Sequence, residues 1–466
     1  MPDNNKIQDV SSPSATDWYQ RGVAHHHRSE FLPAEQCYRN ALALEPGYGS
    51  ALNNLGLVLK RLGRIAEGIE CLHQAVTLSP NVVDLQTNLA SALIDYGDLA
   101  AARPVIEAVL KVDQDNVDPY ILLGNLETLT GNLSAARQAY DKAVEIAPED
   151  SNAQYSLALL LLLMGDFANG WQAYEARWNR PDFTSTPRNF GVDRWDGGPL
   201  GNRTLLIHAE QGAGDTIQFC RLVHDIRRQH PDARIILEVD TALSRLCAHS
   251  FAGNAQVFSF RDPAGSNLPK FDTYIPVISA AGLLGTDLDT LPGTLPYLTP
   301  PPDEATYWQK RMTSSAAGLN IGVVWAGKPT HRRDSHRSIT AGHLAPLFEL
   351  DGTNWFSLQV GHGALQKPLP GLSDLAPMLL DFAATAGAVS ALDLVISVDT
   401  SVAHLAGAMG KRVWTLLPFI PDWRWLVDRG DSPWYPSMRL YRQLDDGDWA
   451  TVIERVRSDL AAGRFE

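Results

Sequence analysis

The chain has 466 residues, 45% hydrophobic and 20% charged, with a formal net charge of −14 at pH 7. That length exceeds a single hydrophobic core and predicts two to four domains. The acidic balance excludes a general nucleic-acid binder, which needs a basic surface to meet phosphates. Residues 1–10 are polar and lack the apolar centre of a signal peptide. The longest apolar run, residues 157–164, is less than half of a membrane span. Cys37, Cys71, Cys220 and Cys247 form no C-x-x-C pair, and the first two lie 34 residues apart at one position of a repeat. That spacing favours packing over a disulfide or a metal site, and a reducing, cytoplasmic compartment is expected.

The first 180 residues are self-similar at a period of 34. Small residues recur at Gly22, Gly56, Ala90, Gly124 and Ala158, and again at Ala34, Gly68, Ala102, Ala136 and Gly170. Large ones recur at Tyr38, Leu72, Ile106, Tyr140 and Tyr174. A third series, Ala41, Ala75, Val109 and Ala143, fails at Arg177. Pro46, Pro80 and Pro148 close repeats, with Gln114 the exception. Closely crossing helices need small residues at the crossing and large ones beside it, and a proline ends the second helix. The pattern resembles tetratricopeptide repeats, five hairpins over residues 15–180, which implies a superhelix whose groove binds peptides or proteins. A purely stabilising or dimerising role is the alternative. His25, His26 and His27 point in different directions on a helix, so no metal site is expected there.

After Trp178 the composition changes. A Pro-, Gly- and Asp-rich connector (181–201) leads into strand-like runs at 204–209, 234–239, 256–260 and 274–277. After the prolines at 300–302, further runs follow at 321–325, 355–359, 378–381, 394–397 and 413–417. Continuous apolar runs suit parallel strands buried on both faces. The expected architecture is α + α/β: the repeat superhelix, then two Rossmann-like lobes, 200–299 and 319–466, with ligands at the carboxyl ends of the strands.

Two motifs carry chemistry. Glu210-Gln211-Gly212-Ala213-Gly214-Asp215-Thr216 follows a strand and opens a helix expected over 217–228. It lacks G-x-G-x-x-G, which disfavours NAD binding. Asp215 either caps the helix or acts as a general base. The second motif, residues 398–410, follows the 394–397 strand. Thr400 and Ser401 begin a helix whose N–H groups suit a diphosphate. Asp399 ends the strand facing the cleft, Ala403, Ala406, Gly407 and Ala408 allow close packing, and Gly410 suits the C-terminal cap. His404, a turn on, is either a satisfied buried side chain or a ligand contact. Val324 to Pro329 ends another strand and is followed by His331, Arg332, Arg333, His336, Arg337 and Ser338, a cationic loop or simply a solvated one. Aromatics crowd Pro421-Asp422-Trp423-Arg424-Trp425 and Asp431-Ser432-Pro433-Trp434-Tyr435, as core or as stacking surfaces.

Gly214-Asp215 and Asp399-Thr400-Ser401 with His404 resemble the bacterial heptosyltransferase family of GT-B glycosyltransferases over residues 200–460, and more specifically bacterial proteins that fuse tetratricopeptide repeats to such a domain. The resemblance implies inverting, metal-independent glycosyl transfer, hexosyl or related, from a nucleotide sugar. Asp215 is then the base. Gly214, Lys328, Arg337, Ser338, Asp399, Thr400, Ser401 and His404 bind the donor, and the repeats hold a protein acceptor. Ser401 departs from the glycine usual in that family and leaves the sugar open. Asp287-Leu288-Asp289 mimics the metal-binding D-x-D of another glycosyltransferase fold, but stands ahead of Pro292 without a partner motif and is expected to be structural. The competing reading is a repeat scaffold whose α/β domain binds a nucleotide sugar without turnover.

Overall fold

The computed structural model describes residues 12–185, 187–260, 268–291, 293–312, 318–331, 333–361, 363 and 369–464. Residues 1–10, Pro292 and Arg332 lie outside these. The chain divides into two compact units, residues 1–157 and 158–466.

The helices of the repeats are α1 (Ala15–His27), α2 (Phe31–Leu44), α3 (Gly49–Arg61), α4 (Ile65–Leu78), α5 (Val83–Tyr96), α6 (Leu99–Val112), α7 (Val117–Leu129), α8 (Leu133–Ile146), α9 (Ser151–Leu163) and α10 (Phe167–Tyr174). The division between units falls within α9. In the first unit α1 packs on α2, α3 on α4, α5 on α6 and α7 on α8, and each pair stacks on the next. The small and large series meet. A Cβ at Gly22 would lie 2.6 Å from the Tyr38 ring, and one at Gly56 would lie 2.6 Å from Leu72 Cγ and 2.9 Å from the Gly68 carbonyl oxygen. Because a backbone atom cannot retreat as a side chain can, Gly56→Val should lower stability by ~1–3 kcal/mol. Urea denaturation of the full chain measures it, and an unchanged midpoint would count against the close crossing.

A further period-34 series was not anticipated from sequence. Gly63, Gly97, Gly131 and Gly165 turn each first helix into its partner with φ of +80°, +94°, +81° and +83°. This left-handed backbone costs glycine nothing. In the first hairpin Ser29 takes the same position with φ of +59°.

The second unit continues from α9 and α10 through a 3-10 turn, Glu175–Asn179, into two parallel sheets. The first comprises β1 (Thr204–His208), β2 (Arg234–Val239), β3 (Gln256–Ser259) and β4 (Thr273–Pro276) in the order β3-β2-β1-β4. The second comprises β5 (Leu319–Val324), β6 (Thr353–Ser357), β7 (Leu372–Asp374), β8 (Leu394–Val398), β9 (Val413–Leu417) and β10 (Met438–Arg442). Its order, β7-β6-β5-β8-β9-β10, is the 3-2-1-4-5-6 arrangement of doubly wound folds, with its switch point between β5 and β8. Their helices are α11 (Ala213–Phe219), α12 (Leu222–Gln229), α13 (Thr241–Ser250), α14 (Ser279–Leu283), α15 (Pro302–Met312), α16 (Asp334–Arg337), α17 (Phe382–Ser390), α18 (Ser401–Ala408) and α19 (Trp449–Ala461). Every residue of β8 and β9 is buried, as parallel central strands require. Ile321, Val323, Ile396, Trp414 and Leu416 form a core that Val452 and Val456 of α19 cover.

Two elements differ from expectation. Residues 378–381 are not a strand: a 3-10 turn, Ala376–Met378, contains Pro377, and Asp381 caps α17 through Ala384 N (2.8 Å). A proline without an N–H and a helix cap four residues later leave no room for a ladder. The edge strand is β7, just upstream. The helix expected over 217–228 is two helices, broken at Cys220 and Arg221, where the buried Arg221 guanidinium donates to the Trp434 carbonyl (3.2 Å). Strand β10 escaped notice because arginines interrupt it. All four cysteines are free. Among the described residues no helix is long and apolar enough to cross a membrane.

Candidate functional site

The site grows from the ends of β1, β5 and β8. Strand β8 is buried throughout and apolar except for Ser397, so Asp399 is the first charged residue after it that must find polar company, and it does so while still buried (8% exposed). Burial pushes its carboxyl up to about 6; the nearby Asp422 adds to this, while Arg337 and Arg424 oppose it. Thr400 is the N-cap of α18, yet its side chain makes no capping bond and pairs instead with Ser397 Oγ (2.9 Å). The first turn of α18 therefore begins without a side-chain acceptor from its cap residue. This is an electrostatically positive end for an anion.

His404 is buried. Its Nδ1 is hydrogen-bonded to Tyr435 Oη (3.0 Å), its Nε2 lies 3.9 Å from Asp399 Oδ1, and Trp425 stacks on its ring at 5.1 Å. Burial, reinforced by Arg424, pushes the imidazole down to about 3, so it is neutral at physiological pH. The bland reading of His404 as a satisfied buried side chain describes its surroundings, and the same ring forms one wall beside Asp399.

The glycine-rich loop comes to this place from the other sheet. A Cβ at Gly214 would lie 3.3 Å from His404 Cδ2 and 3.6 Å from Ser401 Cα, so α11 and α18 meet at their N-termini. Asp215 takes the capping role. Its Oδ2 accepts the Gly212 N–H (2.8 Å) and caps α11, while its Oδ1 pairs with Arg424 Nη2.

Arg424 was missed in the sequence, where it stood among tryptophans read as core or as stacking surfaces. Those tryptophans are core: Trp423, Trp425 and Trp434 are buried. Within them the guanidinium also holds Asp422 Oδ1 (2.8 Å) and Gln218 Oε1 (2.6 Å), and lies 4.3 Å from the Trp423 ring centroid. An arginine flanked by an aspartate two residues back, inside an aromatic run, was the available signal. Asp215, which follows β1 of the first sheet, and Asp422, which follows β9 of the second, share one buried cation.

The remaining predicted residues form a second group at the end of β5. Arg337 Nε donates to Asp334 Oδ1 (3.2 Å), and Ser338 Oγ accepts the Gly327 N–H (2.9 Å). Arg333 crosses to the Ile420 carbonyl (3.1 Å), tying this loop to the segment that carries Asp422. Gly327, Asp334, Ser338, His343 and Trp449 line a pocket of about 470 Å³. Lys328 is exposed. The D-x-D segment is a turn: Asp287 Oδ1 accepts the N–H groups of Asp289 (3.0 Å) and Thr290 (2.8 Å), and the Thr290 bonds hold its carboxyl below the usual range.

Family models of the tetratricopeptide repeat match residues 49–82 and 87–151. The chain is 27% identical over 309 residues to Protein FlbA of Caulobacter vibrioides, covering 61% of this chain and 51% of that protein. It thus spans about half the length of that relative. Among solved structures, a tetratricopeptide-repeat protein of Thermus thermophilus, TTC0263, aligns with 36% of this chain and 93% of its own at 19% identity and a TM-score of 0.33. MamA of Desulfovibrio magneticus aligns with 35% and 92% at 20% identity and a TM-score of 0.31. The repeat matches support a protein-interaction scaffold in the N-terminal part.

Proposed function

We propose that the α/β unit is a GT-B glycosyltransferase that moves a sugar from a nucleotide-sugar donor to a protein acceptor held by the repeats. The observation that carries this reading is the convergence of two loops from two parallel sheets. The N-terminus of α18 with buried Asp399 lies against Gly214, one residue from Asp215. In the proposed reaction the acceptor hydroxyl attacks the anomeric carbon from the face opposite the diphosphate. Its C–O bond forms as the sugar–phosphate bond breaks, the acceptor proton passes to Asp215, and the electron pair leaves with the diphosphate. The amides opening α18 and the Arg337 guanidinium receive the growing negative charge; one such donor typically contributes ~3 kcal/mol.

The test is calorimetric titration of the full chain with a panel of nucleoside diphosphates. At least one should bind, and Thr400→Val or Arg337→Ala should weaken it about tenfold, as befits loss of one charge-assisted contact. Absence of binding across the panel, or titrations indifferent to both substitutions, would reject the donor site. A second reading has its own support. Both Asp215 oxygens are engaged, by Gly212 N–H and by Arg424, as in a scaffold that binds a nucleotide sugar without turnover. Binding without sugar transfer or donor hydrolysis is its signature.

A further inference from the structure

The failed position of the third repeat series leads to the site. Where earlier repeats carry Ala or Val, Arg177 is fully buried and grips Glu210 through Nε (3.0 Å) and Nη2 (2.9 Å). Glu210 also accepts the Ile278 N–H (3.2 Å), so the residue entering the glycine-rich loop is fixed from two sides. The next residue, Gln211, has φ of +60°, a left-handed backbone that a side chain rarely adopts. It is held there twice: its N–H donates to Ser185 Oγ (2.8 Å) and its Nε2 to Tyr174 Oη (2.9 Å). Tyr174 ends α10, the last repeat helix, and Ser185 belongs to the connector. After Gln211 comes Gly212, whose N–H is the donor that Asp215 caps.

Helix α10 is anchored firmly enough to impose this. Trp171 Nε1 donates to the Thr286 carbonyl (2.7 Å), and its ring packs at 5.9 Å from Phe219 of α11 and 5.4 Å from Trp423, the neighbour of Arg424. Phe167 lies 6.0 Å from Trp434. The helix thus touches the segments following β1 and β9 that carry Asp215 and Arg424.

We propose that Tyr174, Arg177 and Ser185 are positioning residues: Arg177, in the turn after the last repeat helix, fixes Glu210, while Tyr174 of that helix and Ser185 of the connector hold Gln211 in a left-handed conformation from which Asp215 reaches Arg424. Strained backbone persists only where its surroundings over-determine it. A glycine at 211 would adopt this φ freely but could not bond to Tyr174. Glutamine makes the loop's shape conditional on α10 being docked, which couples the end of the repeat array to the proposed base. The consequence for turnover rests on the proposed glycosyl transfer; the consequence for the loop does not.

A double-mutant cycle read by hydrogen exchange of the 211–216 amides tests this. Tyr174→Phe should speed local exchange on the order of tenfold, the cost expected when strain loses one of its restraints. In a Gln211→Gly chain the same substitution should change nothing further. Unaltered protection in Tyr174→Phe, or an equal effect in both backgrounds, would overturn the proposal. With an active preparation, Tyr174→Phe should lower kcat while leaving nucleotide titrations intact; a loosened loop with full kcat would refute the positioning role. Should the unaltered chain transfer no sugar, the transferase reading fails and the exchange cycle still decides the loop.

Discussion

Replacing Arg424 with methionine should cost about 3 kcal/mol of folding stability. The guanidinium is buried, with its side chain 9% exposed, and neutralises Asp215 and Asp422 while satisfying Gln218. Removing one partner of a buried ion pair commonly costs ~3–5 kcal/mol because a carboxylate is left unpaired in a poor solvent. Here the side chains of Asp215 and Asp422 are 19% and 34% exposed, so water can reach both released carboxylates and the lower end applies. Methionine retains most of the packing on Trp423, which separates charge loss from cavity formation. Urea denaturation at pH 7 gives the number, and a loss below ~1 kcal/mol would place the pair among ordinary surface bridges. The activity of the folded variant tests the role of Asp215 in the proposed transfer. If Asp215 accepts the acceptor proton, a carboxylate freed from Arg424 loses its aim and turnover falls about a hundredfold. If the pair serves only the fold, transfer per folded molecule is unchanged.

What could be read in the sequence was periodic or punctuated. The repeats were legible because several residue classes share one spacing, and Gly22 against Tyr38 shows the steric reason. Eight of the strands were located because parallel strands are continuous apolar runs, and two interior strands, β8 and β9, are buried throughout. The edge strands of the second sheet escaped: β7 is three residues long and β10 is interrupted by Arg439 and Arg442. The site was legible where a motif is contiguous, at Gly214-Asp215 and Asp399-Thr400-Ser401. Arg424 was not, because its partners Asp215 and Gln218 lie more than two hundred residues away. Arg177 was seen only as an interruption. A broken repeat position proved to be a buried contact with the loop that carries Asp215, a relation that no spacing within the repeats could express.

The remaining large effect concerns Asp399, and its sign follows from burial. In the folded chain its carboxyl titrates near 6, above the range of an unfolded aspartate, so the folded state binds the proton more tightly. The stability this contributes is fully present below about pH 4 and is lost as pH rises through about 6. Near neutrality the buried carboxylate therefore destabilises the fold by about 3 kcal/mol. Asp399→Asn removes the charge at nearly constant shape and should raise stability at pH 8 by about 2 kcal/mol, the amide still needing partners. The gain should shrink through pH 6 and vanish near pH 4, where the native carboxyl is protonated. His404 acts in the opposite direction. Its folded affinity for a proton is depressed to about 3, so its contribution is present above about pH 6.5 and lost on acidification. The two titrations partly cancel in the unaltered chain, whereas the difference between the chains keeps His404 in both and reports Asp399. A difference independent of pH, or an asparagine chain less stable at pH 8, would show the carboxylate to be paired and remove the case for it as a strained group. A carboxylate that lowers stability at the switch point of a doubly wound sheet is difficult to explain by folding alone. Beside an uncapped helix start, such a group is what the proposed donor site would use.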